Sequence, residues 1–272
     1  MKKISIISIV ALGCILSAWS SPGSTSLKPP RHGGIYVVAH RGAHYEQNIP
    51  ENTIPAYQKA IDFGVDFVEI DVRTTKDGYF VSVHNENVNQ YVLEDYNRKV
   101  ADMTLTELKQ LDVGSRKGPE WKDTRIPTFE EILDLCKGNC GIYLDLKQAS
   151  VKPLIEMIKA RGMEQDVIWY ADDDELEEVK KICPECIIMP DPGKEKYLPE
   201  LIERFHPDLI SASWKNISGS FVETCHKAGA ILIVDGKGPK TWEPALEWDI
   251  EGIQTDQPAA LIDFLKKRNL ND

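Results

Sequence analysis

Residues 67–84 read FVEIDVRTTKDGYFVSVH, and the first six decide the fold. Phe67 to Val72 is an apolar run of strand length, yet Glu69 and Asp71 stand two positions apart in it and project from one face of the pleat. In a closed barrel that face is the interior, where two bare carboxylates repel unless a cation or a shared proton joins them. A strand of this kind reads as one stave of a barrel with a polar centre.

Outward from this stretch the pattern repeats. Short apolar runs at Ile35–Ala39, Phe80–Val83, Ile142–Leu146, Val167–Tyr170, Ile187–Met189, Leu209–Ala212, Ile231–Val234 and Gly252–Thr255 read as strands. Helical spacing falls between most of them, at Thr53–Phe63, Thr104–Leu111, Thr128–Cys136, Lys152–Arg161, Glu175–Ile182, Lys196–Phe205, Ser218–Ala228 and Ala259–Lys267. Alternating strands and helices predict a parallel sheet covered by helices, and about eight such units fit a single (β/α)8 TIM barrel better than a doubly wound sheet. The ninth strand is surplus, and the turn signal Lys76-Asp77-Gly78 predicts an extra short strand or hairpin near residues 67–84. A two-residue Asp77-Gly78 loop would pair Lys76 with Tyr79 and set His84 opposite Asp71; parallel barrel neighbours are the alternative.

Reactive residues of such a barrel belong at the carboxyl ends of its strands. There stand His40-Arg41-Gly42, Glu69 and Asp71, His84, and Asp145-Leu146-Lys147. Glu69, Asp71 and Asp145 offer three oxygen ligands without a thiolate, which suits Ca²⁺ or Mg²⁺ rather than zinc. Two imidazoles, His40 and His84, can move protons near neutral pH, while Arg41 and Lys147 supply charge for a phosphoryl group. Metal-assisted cleavage of a phosphodiester is the reaction class that these parts describe.

His40-Arg41-Gly42, Pro50-Glu51-Asn52-Thr53, Glu69-Ile70-Asp71-Val72, Thr75-Lys76-Asp77-Gly78 and His84 come in the order and spacing of the glycerophosphodiester phosphodiesterase family, which the chain resembles from Ile35 to Leu265. Asp145-Leu146-Lys147 and Gly252-Ile253-Gln254-Thr255-Asp256-Gln257-Pro258 extend the resemblance. It implies a barrel of the phospholipase-C-like phosphodiesterase type that hydrolyses glycerophosphodiesters to glycerol 3-phosphate and an alcohol. It implies His40 and His84 as the acid/base pair, Glu69, Asp71 and Asp145 as metal ligands, and Arg41 and Lys147 as phosphate contacts. Glu51 would orient the glycerol or a histidine. The chain departs from the family at Asn85, where Asp is usual, at Asp145, where Glu is usual, and at Ile233-Val234-Asp235-Gly236, where many relatives have a Trp-rich motif.

Several of these residues also have ordinary readings. Glu69 and Asp71 could pair with Arg41 and Arg73 in a structural network, and Asn52 or Thr53 reads as the cap of the helix that follows. Asp172-Asp173-Asp174-Glu175 reads as a helix start rather than a cation site. Trp214 is a candidate for stacking on substrate, or a half-buried rim aromatic. His32, His44, His206 and His226 carry no partner pattern.

The 272 residues hold 32 Lys and Arg against 43 Asp and Glu, and a net charge of −11 argues against a protein that coats nucleic acid. Met1-Lys2-Lys3, the apolar run Ile4 to Ala18 and the small residues around Ser20 read as a signal peptide over residues 1–20, with a polar linker at 21–33 and the barrel at 34–272. Export to the periplasm or the exterior is expected, with no transmembrane segment in the mature chain. Cys14 offers a second, lipoprotein reading, weakened because Ala11 stands where a lipobox usually has Leu. Cys136, Cys140, Cys183, Cys186 and Cys225 remain, an odd number that leaves at least one free thiol; local disulfides or buried thiols are expected rather than a zinc or redox site.

A metal-dependent hydrolase of small glycerophosphodiesters is the first functional expectation. Lysophospholipase-D-like or sugar-phosphodiester cleavage by the same residues is the enzymatic alternative. An extracytoplasmic protein that binds phosphodiesters without cleaving them is the non-enzymatic one.

Overall fold

The computed structural model describes residues 27–94, 96–236 and 238–269. The expected signal peptide, Cys14 and the first part of the linker lie outside these residues. No helix among them is long and apolar enough to cross a membrane.

Nine strands and nine α-helices follow one another as β1 (Tyr36–Ala39), α1 (Ile54–Phe63), β2 (Phe67–Thr74), β3 (Phe80–Ser82), α2 (Leu105–Gln110), α3 (Phe129–Cys136), β4 (Gly141–Gln148), α4 (Val151–Lys159), β5 (Val167–Tyr170), α5 (Asp173–Ile182), β6 (Ile187–Ile188), α6 (Leu198–Phe205), β7 (Leu209–Ser213), α7 (Gly219–Lys227), β8 (Ile231–Asp235), α8 (Pro239–Glu247), β9 (Gly252–Thr255) and α9 (Pro258–Asn269), counted among the described residues. Eight strands are parallel in the order β6-β5-β4-β2-β1-β9-β8-β7. The Ser211 N–H donates to the Pro190 carbonyl at 3.0 Å and bridges the remaining gap between β6 and β7. This is the (β/α)8 barrel that the alternating pattern predicts.

Strand alternation splits the core into two shells. Val37, Val68, Ile70, Leu144, Trp169 and Ile253 face outward, where the apolar faces of the helices cover them. Tyr36, Val38, Phe67, Tyr143, Ile168 and Ile233 fill the interior, joined from below by Leu27, which is 8% exposed. Residues 27–33, the end of the expected linker, lie against the amino ends of the strands. There Lys28 pairs with Asp166 at 2.6 Å, and the Arg31 N–H donates to Asp66 at 2.9 Å.

The surplus strand is β3, antiparallel to β2, with Val72 opposite Ser82 and Thr74 opposite Phe80. That register is one residue away from the two-residue hairpin. Thr75 N–H donates to Tyr79 O at 2.8 Å, so the loop has three residues, Lys76-Asp77-Gly78, with Gly78 at φ 88°. Thr75 Oγ1 accepts from Tyr79 N–H and donates to Asp77, which favours the longer loop. Val83, not His84, therefore lies against Asp71, its N–H donating to the Asp71 carbonyl at 2.9 Å. Beyond β3 an excursion to Ile126 packs Val88, Val100, Met103 and Leu108 with Val81 of β3 into a small core of its own.

Helix α8 is absent from the sequence expectation because Pro244 sits inside it, where an N–H is lost and a break is ordinarily read. Cys183 and Cys186 form a disulfide, while Cys136, Cys140 and Cys225 are buried thiols. Neither cluster of candidate metal ligands among the described residues contains a cysteine.

Candidate active site

Strands β2 and β4 bring the acidic residues together. Asp71 and Asp145 are register partners on adjacent parallel strands, and Glu69 stands one pleat below Asp71. One oxygen of each of Glu69, Asp71 and Asp145 lies within 4.8 Å of the others, with Glu69 1% and Asp71 0% exposed.

The chain leaving β1 is bent around this cluster. Arg41 has φ 53° and Gly42 φ 80°, a left-handed pair that turns the backbone N–H of Arg41 onto Glu69 Oε2 at 2.6 Å. A Cβ at Gly42 would lie 2.7 Å from the backbone carbon of Ala56, so helix α1 could not approach a larger residue so closely. The Arg41 guanidinium donates to Glu51 at 3.0 Å and lies 3.5 Å from Asp71 Oδ2. Asn52, with φ 54°, donates from Nδ2 to the same Asp71 oxygen at 2.7 Å, and its own Oδ1 accepts from Tyr57 and Ser82. Asn52 thus orients Asp71 instead of capping α1. Thr53 occupies the cap position, but its hydroxyl donates to the Pro50 carbonyl.

From the other side Lys147 Nζ donates to Asp145 at 2.6 Å and lies 3.4 Å from Asp71 Oδ1. That Asp71 oxygen is buried and accepts no hydrogen bond. Burial, then the charges of Asp71 and Asp145, push the Glu69 carboxyl well above the usual range. Burial also raises Asp145, opposed by Lys147 and reinforced by Asp71. Burial works to lower Lys147, but Asp145 and Asp71 outweigh it and hold the ammonium charged. Three carboxylates that converge this closely, beside an Asp71 oxygen that accepts no hydrogen bond, are a group that could hold a hard divalent cation such as Ca²⁺ or Mg²⁺.

His40 and His84 stand at the same rim. His40 Nδ1 is 2.5 Å from Asp256 Oδ1, and His44 Nε2 is 3.4 Å from that oxygen. His84 Nδ1 is 3.0 Å from Asn85 Oδ1, which also accepts from the Tyr91 hydroxyl at 2.8 Å. Both imidazoles are held through Nδ1, which leaves Nε2 for a reacting proton. Arg73 does not pair with Glu69 or Asp71 but turns to the carbonyls of Val83 and His84 and fixes the end of β3.

Trp214 follows β7 at its carboxyl end. It lines a cavity of about 590 Å³ with Ser213, Lys215 and Asp235, and one face of its ring stacks on Trp248 at 5.7 Å. Asp172 begins helix α5, its N–H donating to Glu175 Oε2 at 3.1 Å, as read from sequence.

Sequence reasoning assigned no role to Asn52 at Asp71, to Asp256 and His44 at His40, or to Tyr91 at Asn85. Only Asp256 gave a signal, since it follows a barrel strand at its carboxyl end.

Residues 40–173 match the glycerophosphoryl diester phosphodiesterase family. A glycerophosphodiester phosphodiesterase of Caldanaerobacter subterraneus subsp. tengcongensis is 33% identical over 248 residues, 85% of this chain and 98% of the relative. The phosphodiesterase of Oleispira antarctica, solved with its product sn-glycerol-3-phosphate, superposes with a TM-score of 0.77 at 22% identity, covering 87% of this chain and 97% of its own. A glycerophosphodiester phosphodiesterase from Agrobacterium tumefaciens superposes at 0.74 with 24% identity, covering 84% and 99%.

Proposed function

The chain belongs to the glycerophosphodiester phosphodiesterase family and is a phosphodiester hydrolase, and from that premise we propose that it cleaves small glycerophosphodiesters to glycerol 3-phosphate and an alcohol by metal-dependent, two-histidine acid/base chemistry. The observation that carries this reading is the convergence of Glu69, Asp71 and Asp145 within 4.8 Å. Asp71 Oδ1, buried and accepting no hydrogen bond, fits a cation that the three carboxylates share. Bound there, a hard divalent ion would supply positive charge to the phosphoryl oxygens.

The side chains do the remaining work. Arg41 presents a fork to the phosphoryl group and Lys147 a point charge, both held in place by carboxylates that also balance their charge. One imidazole takes a proton from the attacking oxygen, which belongs either to water, giving glycerol 3-phosphate directly, or to the neighbouring hydroxyl of the glycerol, giving a cyclic phosphate that water then opens to glycerol 3-phosphate. As the P–O bond to the alcohol breaks, the other imidazole gives a proton to the departing oxygen. Asp256 and Asn85 keep the two rings turned with Nε2 toward the substrate. Glu51, fixed by Arg41, orients the glycerol end.

Export belongs to the same reading. It rests on the leader at residues 1–20 and agrees with the Cys183–Cys186 disulfide, a bond that persists in oxidising compartments. The test is release of glycerol 3-phosphate from glycerophosphocholine by metal-stripped protein resupplied with Ca²⁺ or Mg²⁺. Release restored by either ion is the expected result. Cleavage of lysolipids or sugar phosphodiesters alone would replace the substrate class, and tight binding without turnover would replace the reaction.

A further inference from the structure

Between the ends of β4, β5 and β6 a cavity of about 540 Å³ opens onto the acidic cluster, since Asp145 and Lys147 form one of its walls. Tyr170, Asp172, Asp173, Asp191 and Gly193 form the others, with Asp172 also serving as the cap of helix α5. Most charges around it already have partners. Lys147 is held by Asp145 and Asp71, and Asp173 by Arg204 at 2.6 Å.

Asp191 is different. Its carboxylate accepts the Gly193 N–H at 2.7 Å and the Tyr170 hydroxyl at 3.3 Å, and no cation among the described residues pairs with it. Burial raises its pKa, against the effect of those two hydrogen bonds. A half-buried carboxylate with neutral partners alone costs free energy that a ligand can recover by bringing the missing charge. The Tyr170 ring, packed against Tyr143 at 5.6 Å, lines the same cavity, and an aromatic ring attracts a cation.

Glu51 lines a separate cavity with Tyr91 and Arg116, beside the excursion that follows β3. A diester centred on the acidic cluster, with its glycerol at Glu51, can place its other alcohol in the β4–β6 cavity, which shares Asp145 and Lys147 with the cluster. We propose that Asp191, with the ring of Tyr170, selects glycerophosphodiesters whose departing alcohol carries an ammonium group, as choline and ethanolamine do. The inference rests on the phosphodiesterase reading and deepens it by naming the alcohol. Uncharged polyols gain nothing from the carboxylate, and an anionic alcohol is repelled by it.

The experiment compares kcat/KM of the metal-supplied protein for glycerophosphocholine, glycerophosphoethanolamine, glycerophosphoglycerol and glycerophosphoinositol, by glycerol 3-phosphate release. The first two should exceed the others by about five- to tenfold, and the gap should narrow at high salt. Asp191→Asn retains partners for Gly193 and Tyr170 and should bring the choline-to-glycerol ratio close to one, mainly through KM. Equal wild-type values for all four substrates would overturn the proposal, whatever the variant does. A parallel loss on every substrate in Asp191→Asn would make Asp191 structural and also overturn it. Release from none of the four would remove the phosphodiesterase reading itself, and this inference with it.

Discussion

His40 Nδ1 and Asp256 Oδ1 lie 2.5 Å apart although 216 positions separate the residues. The barrel causes the contact: Ala39 and Thr255 are register partners on β1 and β9, so the residue after each strand meets the other at the rim. Asp256→Asn keeps the shape but removes the charge that supports an imidazolium and fixes its tautomer. Turnover should fall about 10²-fold or more with little change in KM. Burial works to raise the Asp256 carboxyl, but the hydrogen bonds and charges of His40 and His44 more than offset it and hold the group well below the usual carboxylate range. Such a group contributes stability that is present above about pH 4 and is lost as pH falls through its lower folded value. Melting curves should show the wild type losing more on acidification below about pH 4 than Asp256→Asn. Parallel curves would separate Asp256 from the acid transition.

Glu69 makes the opposite prediction. Its carboxyl is raised by burial and by Asp71 and Asp145, so in the metal-free protein it costs stability as pH rises from about 4.3 toward its higher folded value. Glu69→Gln retains an acceptor for the Arg41 N–H and should raise the metal-free Tm by about 2–4 °C at neutral pH. The same change removes a proposed ligand. Added Ca²⁺ or Mg²⁺ should therefore raise Tm in the wild type, leave the variant nearly unmoved, and restore activity only to the wild type. A variant stabilised by the ion as strongly as the wild type would take Glu69 out of the ligand set.

The apolar runs that carry the barrel were legible because burial on both faces forces them, and a strand such as Val68-Glu69-Ile70-Asp71-Val72 declares its interior by where the carboxylates stand. Pairing detail was less legible. One residue more in the Thr75–Tyr79 turn shifts every partner of β3, and the hydrogen bond that the Tyr79 N–H donates to the Thr75 hydroxyl favours it. Proximity across the sequence hid the rest: Asn52 reaches Asp71 only because Arg41 and Asn52 both take left-handed backbone. Glu69, Asp71 and Asp145 could be grouped from sequence since all occupy inward-facing positions of barrel strands, whereas Tyr91 sits on an excursion with no such periodicity.

Gly42 is the point where backbone and site depend on each other. Gly42→Ala places a methyl 2.7 Å from the backbone of Ala56 at a φ of 80° that L residues resist. Strain and overpacking together should cost about 2–4 kcal/mol of stability, read from denaturant unfolding. Any relief must move α1 or the Arg41 turn, so KM should rise as Arg41 leaves Asp71 and Glu51. Wild-type stability and kinetics in this variant would mean that the turn is more compliant than its contacts imply.

Asn85 offers the sharpest test of His84. The family usually has Asp at this position, and here a neutral amide oxygen, itself held by Tyr91, faces His84 Nδ1 at 3.0 Å. Asn85→Asp keeps an acceptor for both Tyr91 and the imidazole and adds a negative charge beside the ring. That charge favours the imidazolium, so the kcat/KM–pH profile of the variant should differ from that of the wild type on the limb that depends on His84. The limb that disappears in His84→Ala, where turnover should fall about 10²-fold or more, identifies which one to follow. If the two profiles of wild type and Asn85→Asp coincide while His84→Ala is inactive, His84 acts without being tuned through Nδ1, and the contact to Asn85 only orients the ring.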